Sequence, residues 1–212
     1  MTLINYFTNN ASDILSLVVE HLQITGTAVL VAILIGVPLG ILINYYTVIA
    51  DPILGLASVL QTVPSIAFFG LLIPLTGIGQ RTAILVLFLY ALLPIIKNTY
   101  TGVNEVSASM VDAGRGMGLT DFEILRLVEL PQALPVIMAG IRVATVINIG
   151  TTTIAAYIGG GGLGELIFTG ISMNRNEMIL AGAIPAAILA VLADKLLGYV
   201  EKRLAPKKLS RG

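Results

Sequence analysis

Residues 22–50 read LQITGTAVLVAILIGVPLGILINYYTVIA and residues 52–80 read PILGLASVLQTVPSIAFFGLLIPLTGIGQ. These two runs of 29 residues are parted by Asp51 alone, and neither holds an Asp, Glu, Lys, Arg or His. A helix needs about 20 predominantly apolar residues to cross a bilayer core, so each run is long enough. Backbone polar groups in hydrocarbon must be satisfied within the protein, which favours helices for such continuous apolar stretches. Over the whole chain only 11% of residues are charged and mean hydropathy is +0.94, whereas a soluble domain carries about 25% charged residues. The expected fold is all-α: a polytopic membrane protein forming a single transmembrane domain over residues 1–212, with no soluble domain boundary and no solenoid repeat.

Working outward, about five spans are predicted. The first covers residues 23–46 and contains Pro38, ahead of a short Asp51-Pro52 turn. The second covers residues 53–75 and is interrupted by Pro64. A polar, proline-broken segment at mid-membrane is expected to face protein or a water-filled path. The third runs from Thr82 to about Tyr100, extended past Lys97 by snorkelling. The fourth covers residues 134–158 and ends at the glycine run 159–164, followed by a short re-entrant or interfacial piece at 165–172. The last covers residues 178–199. Upstream, Ile14, Leu15, Leu17, Val18, Val19 and Leu22 suggest an amphipathic lead-in lying at the membrane surface, and His21 is expected at the interface. Residues 1–16 hold no Lys or Arg, so the basic region of a cleavable signal peptide is not expected there.

Between the third and fourth spans lies the most polar stretch, with Asp112-Ala113-Gly114-Arg115-Gly116-Met117-Gly118 and then, after nine residues, Val128-Glu129-Leu130-Pro131. Gly118 suits a helix C-terminus, where glycine adopts a left-handed conformation without a steric penalty. Thr120 with Glu123 three residues on forms a capping box able to start a second short helix. Pro131 is expected to interrupt regular structure, with Leu130 biased to an extended conformation.

The spacing of this stretch resembles the E-A-A-x-x-x-G-x9-I-x-L-P signature of permease subunits of binding-protein-dependent ABC importers. Asp112 stands for Glu, Gly114 for the second Ala and Val128 for Ile, while Ala113, Gly118, Leu130 and Pro131 match. The resemblance implies a type I ABC importer permease fold, with cytoplasmic coupling helices in residues 103–131 that dock on the ATPase. Asp112, Ala113, Gly114, Gly118, Leu130 and Pro131 would carry the coupling. Three further strings are similar to the osmoprotectant permeases of glycine betaine/carnitine/choline importers of the OpuB/OpuC type. They are Gln61-Thr62-Val63-Pro64-Ser65-Ile66-Ala67, residues 93–100 (LPIIKNTY) and residues 151–164 (TTTIAAYIGGGGLG). That resemblance covers nearly the whole chain. It implies a second related permease subunit in a heterodimer, two ATP-binding subunits and an extracellular lipid-anchored solute-binding protein. Methionine, other amino-acid and oxyanion importers share the signature, so a permease for another small solute stands as the alternative.

Charge placement sets an expected orientation. With the C-terminus cytoplasmic, Lys195, Lys202, Arg203, Lys207, Lys208, Arg211, Arg115, Arg126, Lys97 and Arg142 lie inside or at its edge, against Arg81 and Arg175 outside. This is a strong positive-inside asymmetry. It places the N-terminus outside and the charged loop inside a bacterial cell membrane, with membrane lipid around the spans.

Several chemistries are disfavoured. The chain has no cysteine and one histidine, leaving no thiol catalyst and little basis for a metal site. The glycine run lacks the Lys and Ser/Thr of a phosphate-binding loop, so ATP hydrolysis would come from a partner. Neither a cofactor nor a catalytic residue is expected. Formal net charge is zero, and no basic, aromatic-interleaved patch suggests nucleic acid. With seven Tyr, six Phe and no Trp, an aromatic cage for a quaternary ammonium group is not expected here. Translocation-path candidates are Gln61, Thr62, Ser65, Tyr90, Asn148, Thr151, Thr152, Thr153 and Tyr157. The competing role for each is interhelical packing. Arg142 is expected to snorkel or to pair with a carboxylate such as Asp194. No acidic residue is expected at mid-span, which argues against the ion relay of a channel or secondary transporter. A scaffold that binds a cytoplasmic partner through residues 112–131 is the remaining class.

Overall fold

The computed structural model of the chain describes residues 3–204, all of whose regular structure is helical. Met1, Lys207, Lys208, Arg211 and Gly212, which entered the charge and topology argument, lie outside the described residues. Ten α-helices follow in chain order: α1 (Leu3–Asn9), α2 (Ala11–Tyr45), α3 (Ala50–Thr62), α4 (Ser65–Thr76), α5 (Gln80–Asn104), α6 (Ala108–Gly116), α7 (Asp121–Ile124), α8 (Leu130–Ala155), α9 (Gly164–Ser172) and α10 (Asn176–Leu204). A π turn, Leu125–Glu129, joins α7 to α8, and a 3₁₀ turn, Ala156–Ile158, extends α8. Four helical stretches are long and apolar enough to cross a membrane: α2, α5, the run Asp121–Ile158 and α10. The bent pair α3–α4 makes a fifth.

Residues 11–22 do not form a separate surface lead-in. They are the first turns of α2, whose 35 residues make a rod of about 52 Å, far longer than one crossing requires. Ile14 packs with Tyr6 of α1 and with Met178 and Ala181 of α10, which holds the upper part of the rod upright. His21 is likewise not interfacial but fully buried. The chain turn after α2 is also not at Asp51-Pro52. It falls at residues 46–49, and Asp51 sits in the first turn of α3.

The second predicted span is not one rod. Pro64 forces Val63 to an extended conformation (φ −65°, ψ 127°), as the residue before proline prefers, and the helices on either side meet at 103°. Even so, the pair runs from one end of the bundle to the other. It starts beside Tyr45, whose hydroxyl donates to Glu129 at 2.7 Å. It finishes near Gly79, where an added Cβ would lie 3.8 Å from the carbonyl oxygen of Gly159. Phe68 and Phe69 of α4 are buried against Ile24, Ala28, Val86, Leu87 and Ala155, with Leu60 and Val63 packed alongside.

Small residues set the helix crossings, as is usual where lipid is as apolar as the core and close backbone approach supplies the attraction. Gly40 of α2 faces Thr99, where a Cβ would fall 2.5 Å from the threonine Cβ, and Gly140 of α8 faces the Pro94 carbonyl at 2.7 Å by the same construction. α5 is thereby clamped between α2 and α8. The core beneath is formed by Ala32, Ala91, Ile95, Ala133, Ile137 and Ala144.

Candidate functional site

The polar segment between α5 and α8 folds into a compact two-helix tip. α6 ends in a Schellman arrangement, in which the Gly118 amide donates to the Arg115 carbonyl at 2.9 Å and the Leu119 amide to Gly114 at 3.1 Å. That closure needs a left-handed residue, and Gly118 supplies it at φ 83°. Thr120 then caps α7. Its amide donates to Glu123 Oε2 at 2.8 Å, and the Glu123 amide returns the bond to Thr120 Oγ1 at 3.3 Å. Both local expectations hold.

Gly114 faces inward: a Cβ there would meet Ile124 Cγ1 at 3.3 Å and Leu119 Cδ1 at 3.6 Å, so its smallness lets α6 lie on α7. Asp112 and Ala113 point outward with Arg115, and the Asp112–Arg115 pair at 3.9 Å is so exposed that it adds little stability. Motif matching did not single out the apolar side chains on the outer surface. Met117 (74% exposed), Phe122 (68%) and Leu127 (60%) stand clear of the tip. Their presence within the most polar stretch of the chain was the available signal.

Leu130 and Pro131 do not break the helix. Leu130 is helical (φ −59°, ψ −44°), and its amide reaches back five residues to the Leu125 carbonyl. Proline lacks an N–H, and its ring crowds the carbonyl four residues earlier. The wider π turn just before it accommodates both effects. Glu129 within that turn is buried and accepts the Tyr45 hydrogen bond, tying the tip to the end of α2. A second strut joins α8 to α10. Arg142 donates from Nε to Asp194 Oδ1 at 2.5 Å and from Nη2 to Asp194 Oδ2 at 2.9 Å, with Glu201 Oε2 at 3.4 Å from Nη1. Of the two outcomes expected for Arg142, snorkelling or pairing, this is the pairing.

The path candidates divide. Asn148 and Thr152 are completely buried, so they do not line an open surface of this chain. Asn148 Nδ2 donates to the Leu87 carbonyl at 2.9 Å. Thr152 donates to the Asn148 carbonyl at 2.7 Å and accepts from Thr25 Oγ1 at 2.8 Å. Tyr90 is also buried, its hydroxyl donating to the Val63 carbonyl at the α3–α4 bend. These groups are spent on holding α2, α5 and α8 together. Thr62 and Tyr157 are exposed, and Gln61, Ser65, Thr151 and Thr153 are half-buried. Thr62, Thr151 and Thr153 bond carbonyls of their own helices.

At the opposite end, the glycine run wraps over α2. Glu20 Oε2 accepts the Gly162 amide at 2.9 Å, and His21 Nε2 donates to the Ile149 carbonyl at 3.0 Å. A Cβ on Gly161 would run into the Glu20 carboxylate, and both Gly161 and Gly162 have positive φ, so the contact depends on glycine. Partial burial, and then the charge of Glu20, push the Glu165 carboxyl in the first turn of α9 above its ordinary range. Among the described residues no cluster of His, Asp or Glu is arranged to hold a metal ion.

Residues 14–206 match the family described as binding-protein-dependent transport system inner membrane component. The chain is 42% identical to the choline transport system permease protein OpuBB of Bacillus subtilis, over 99% of this chain and 96% of that protein. It is 48% identical to the osmoprotectant import permease protein OsmW of Salmonella typhimurium, over 98% and 99% respectively. Among solved structures, the inward-facing MetNI methionine ABC transporter has a chain that superposes with a TM-score of 0.83 at 21% identity. The match covers 91% of this chain and 96% of that one, and shows a shared fold.

Proposed function

The chain belongs to the family of binding-protein-dependent transport system inner membrane components, and from that premise we propose that it is the permease of an importer for quaternary ammonium compatible solutes. The family is one of transport permeases rather than of enzymes, and its members work with an ATPase and a substrate-binding protein in the cell membrane. The solute class is choline, glycine betaine or carnitine. The observation that carries it is the high identity, over nearly full length, to relatives named as choline and osmoprotectant permeases.

In this reading two ATP-binding subunits dock on the two-helix tip, and Asp112, Ala113, Met117, Gly118 and Phe122 present its outward surface. Gly114, Leu130 and Pro131 act from behind, by shaping the tip and setting its angle. A second related permease completes the pathway, and a lipid-anchored extracellular protein delivers the solute. The N-terminus lies outside and the C-terminus in the cytoplasm, in keeping with the distribution of Lys and Arg. Gln61, Thr62, Ser65, Thr151, Thr153 and Tyr157 remain the path candidates. Their own side chains are uncharged, so they would pass a cation or zwitterion without holding it.

The test is uptake by cells or proteoliposomes containing the full transporter. Saturable, ATP-dependent uptake of radiolabelled choline, glycine betaine or carnitine is expected, with competition among those the transporter accepts. ATP-dependent uptake of an amino acid, unaffected by an excess of all three, would refute the solute assignment.

A further inference from the structure

A groove of about 550 Å³ lies between α2, the start of α8 and the last residue of α10, and of its wall only Leu130 and Pro131 have a part in the coupling proposed above. Its wall changes character along its length. Arg126 and Gln132 stand at one end, with Leu130 and Pro131 beside them, whereas Ile33, Val37, Met138 and Ile141 line the rest. Arg126 is exposed and, among the described residues, has no carboxylate within ion-pair distance. Lys202 and Arg203 precede Leu204, which forms part of the wall.

The dimensions match one membrane leaflet. From Leu130 to Ile141 along α8 is a rise of about 16 Å, and half of a hydrocarbon core of about 30 Å is ~15 Å. Arg126 lies one further helical turn outward, at headgroup depth. A cationic end at that depth above an apolar slot one leaflet deep is complementary to a single kind of membrane molecule.

We propose that the groove is a binding site for an anionic phospholipid, whose acyl chain fills the α2–α8 slot and whose phosphate meets Arg126. Because the slot's floor includes Leu130 and Pro131, a bound lipid touches the base of the two-helix tip. With the orientation proposed above the groove lies in the cytoplasmic leaflet, and that orientation is tested separately by labelling of introduced cysteines. The groove's chemistry does not depend on it.

The full transporter, purified in mild detergent and exchanged into nanodiscs of either phosphatidylglycerol or phosphatidylcholine, would be examined by native mass spectrometry. A phosphatidylglycerol analogue with a photoactivatable acyl chain would be cross-linked in parallel. Retained phosphatidylglycerol and label on peptides from residues 126–141 and 33–37 are expected, with little retained phosphatidylcholine. Arg126→Gln should cut retention about fivefold, the effect of one basic residue near an anionic surface, while Arg126→Lys should restore most of it. Leu134→Trp, which fills the slot, should remove the cross-link. Elution of each variant as an assembled complex separates loss of lipid from loss of fold, and variants that fail to assemble are replaced by Val37→Trp on the facing wall. Equal retention of both lipids, unchanged retention in Arg126→Gln, or occupation of the slot by a helix of the partner permease would overturn the proposal.

Discussion

Gly118 is left-handed, and among the described residues no atom beyond its two chain neighbours lies within 4 Å of where its Cβ would be. A side chain there would therefore meet no clash inside the protein, and the local cost is the left-handed backbone itself, about 1–2 kcal/mol. Gly118→Val is expected to reach the membrane at normal abundance while losing uptake and the stimulation of ATP hydrolysis by solute. Asp112→Ala, which removes a polar group without adding bulk, should act in the same direction but more mildly. Wild-type uptake by Gly118→Val, measured against membrane abundance, would remove Gly118 from the coupling surface.

Asn148 calls for the opposite expectation. Its side chain is sealed inside the bundle and bonded to Leu87. Asn148→Leu should lower thermal stability in detergent by roughly 1–2 kcal/mol, in the range of interhelical polar contacts in membranes. Uptake per assembled transporter should stay near the wild-type rate. A large fall in turnover at unchanged stability would return Asn148 to the path.

Among the elements, the junction of α7 and α8 is the most informative. The Leu125–Glu129 π turn inserts extra length into an otherwise continuous helix immediately before Pro131. Because an α-helix turns by 100° per residue, tightening that turn by one residue would swing the tip around the axis of α8. Pro131→Ala restores a backbone N–H and removes the ring, so both obstacles to the tighter helix disappear. Uptake and solute-stimulated hydrolysis are expected to fall severalfold, with helix content and stability held or slightly raised. If circular dichroism, stability and uptake were all unchanged, the angular role of the π turn would be wrong. The Tyr45–Glu129 bond opposes the same rotation from the α2 side.

For the molecule as a whole, the bent pair α3–α4 decides the topology. If it crosses once, as the contacts of the residues flanking it at opposite ends of the bundle indicate, the N-terminal end of α2 and the end of α10 lie on opposite sides. The absence of cysteine allows single cysteines to be introduced without background. In intact cells, Met173→Cys between α9 and α10 and Ser12→Cys at the start of α2 should react with an impermeant maleimide. Met117→Cys at the tip should be shielded. Labelling at Met117 would invert the orientation, and protection at Ser12 with labelling at Met173 would mean that α3–α4 enters and leaves on one side.

Local physics was enough to read much of this protein from its residues. Charge-free runs longer than a bilayer, the Thr120–Glu123 cap, the left-handed Gly118 and the glycine break after α8 each depend on a few neighbours in the chain, and each appears where expected. The pairing of Arg142 was foreseeable because a charge so placed needs a partner. The 103° bend at Pro64, the upright α2, the burial of His21, Asn148 and Thr152, and the helical passage through Leu130 and Pro131 were decided by packing. In a soluble protein, polarity marks which face of a helix turns inward. Around a membrane helix the lipid is as apolar as the core, so inward and outward faces carry nearly the same residues. Only the fitting of glycine against carbonyl, and of buried donors such as Asn148 and His21 to carbonyls on another helix, settles which face is which.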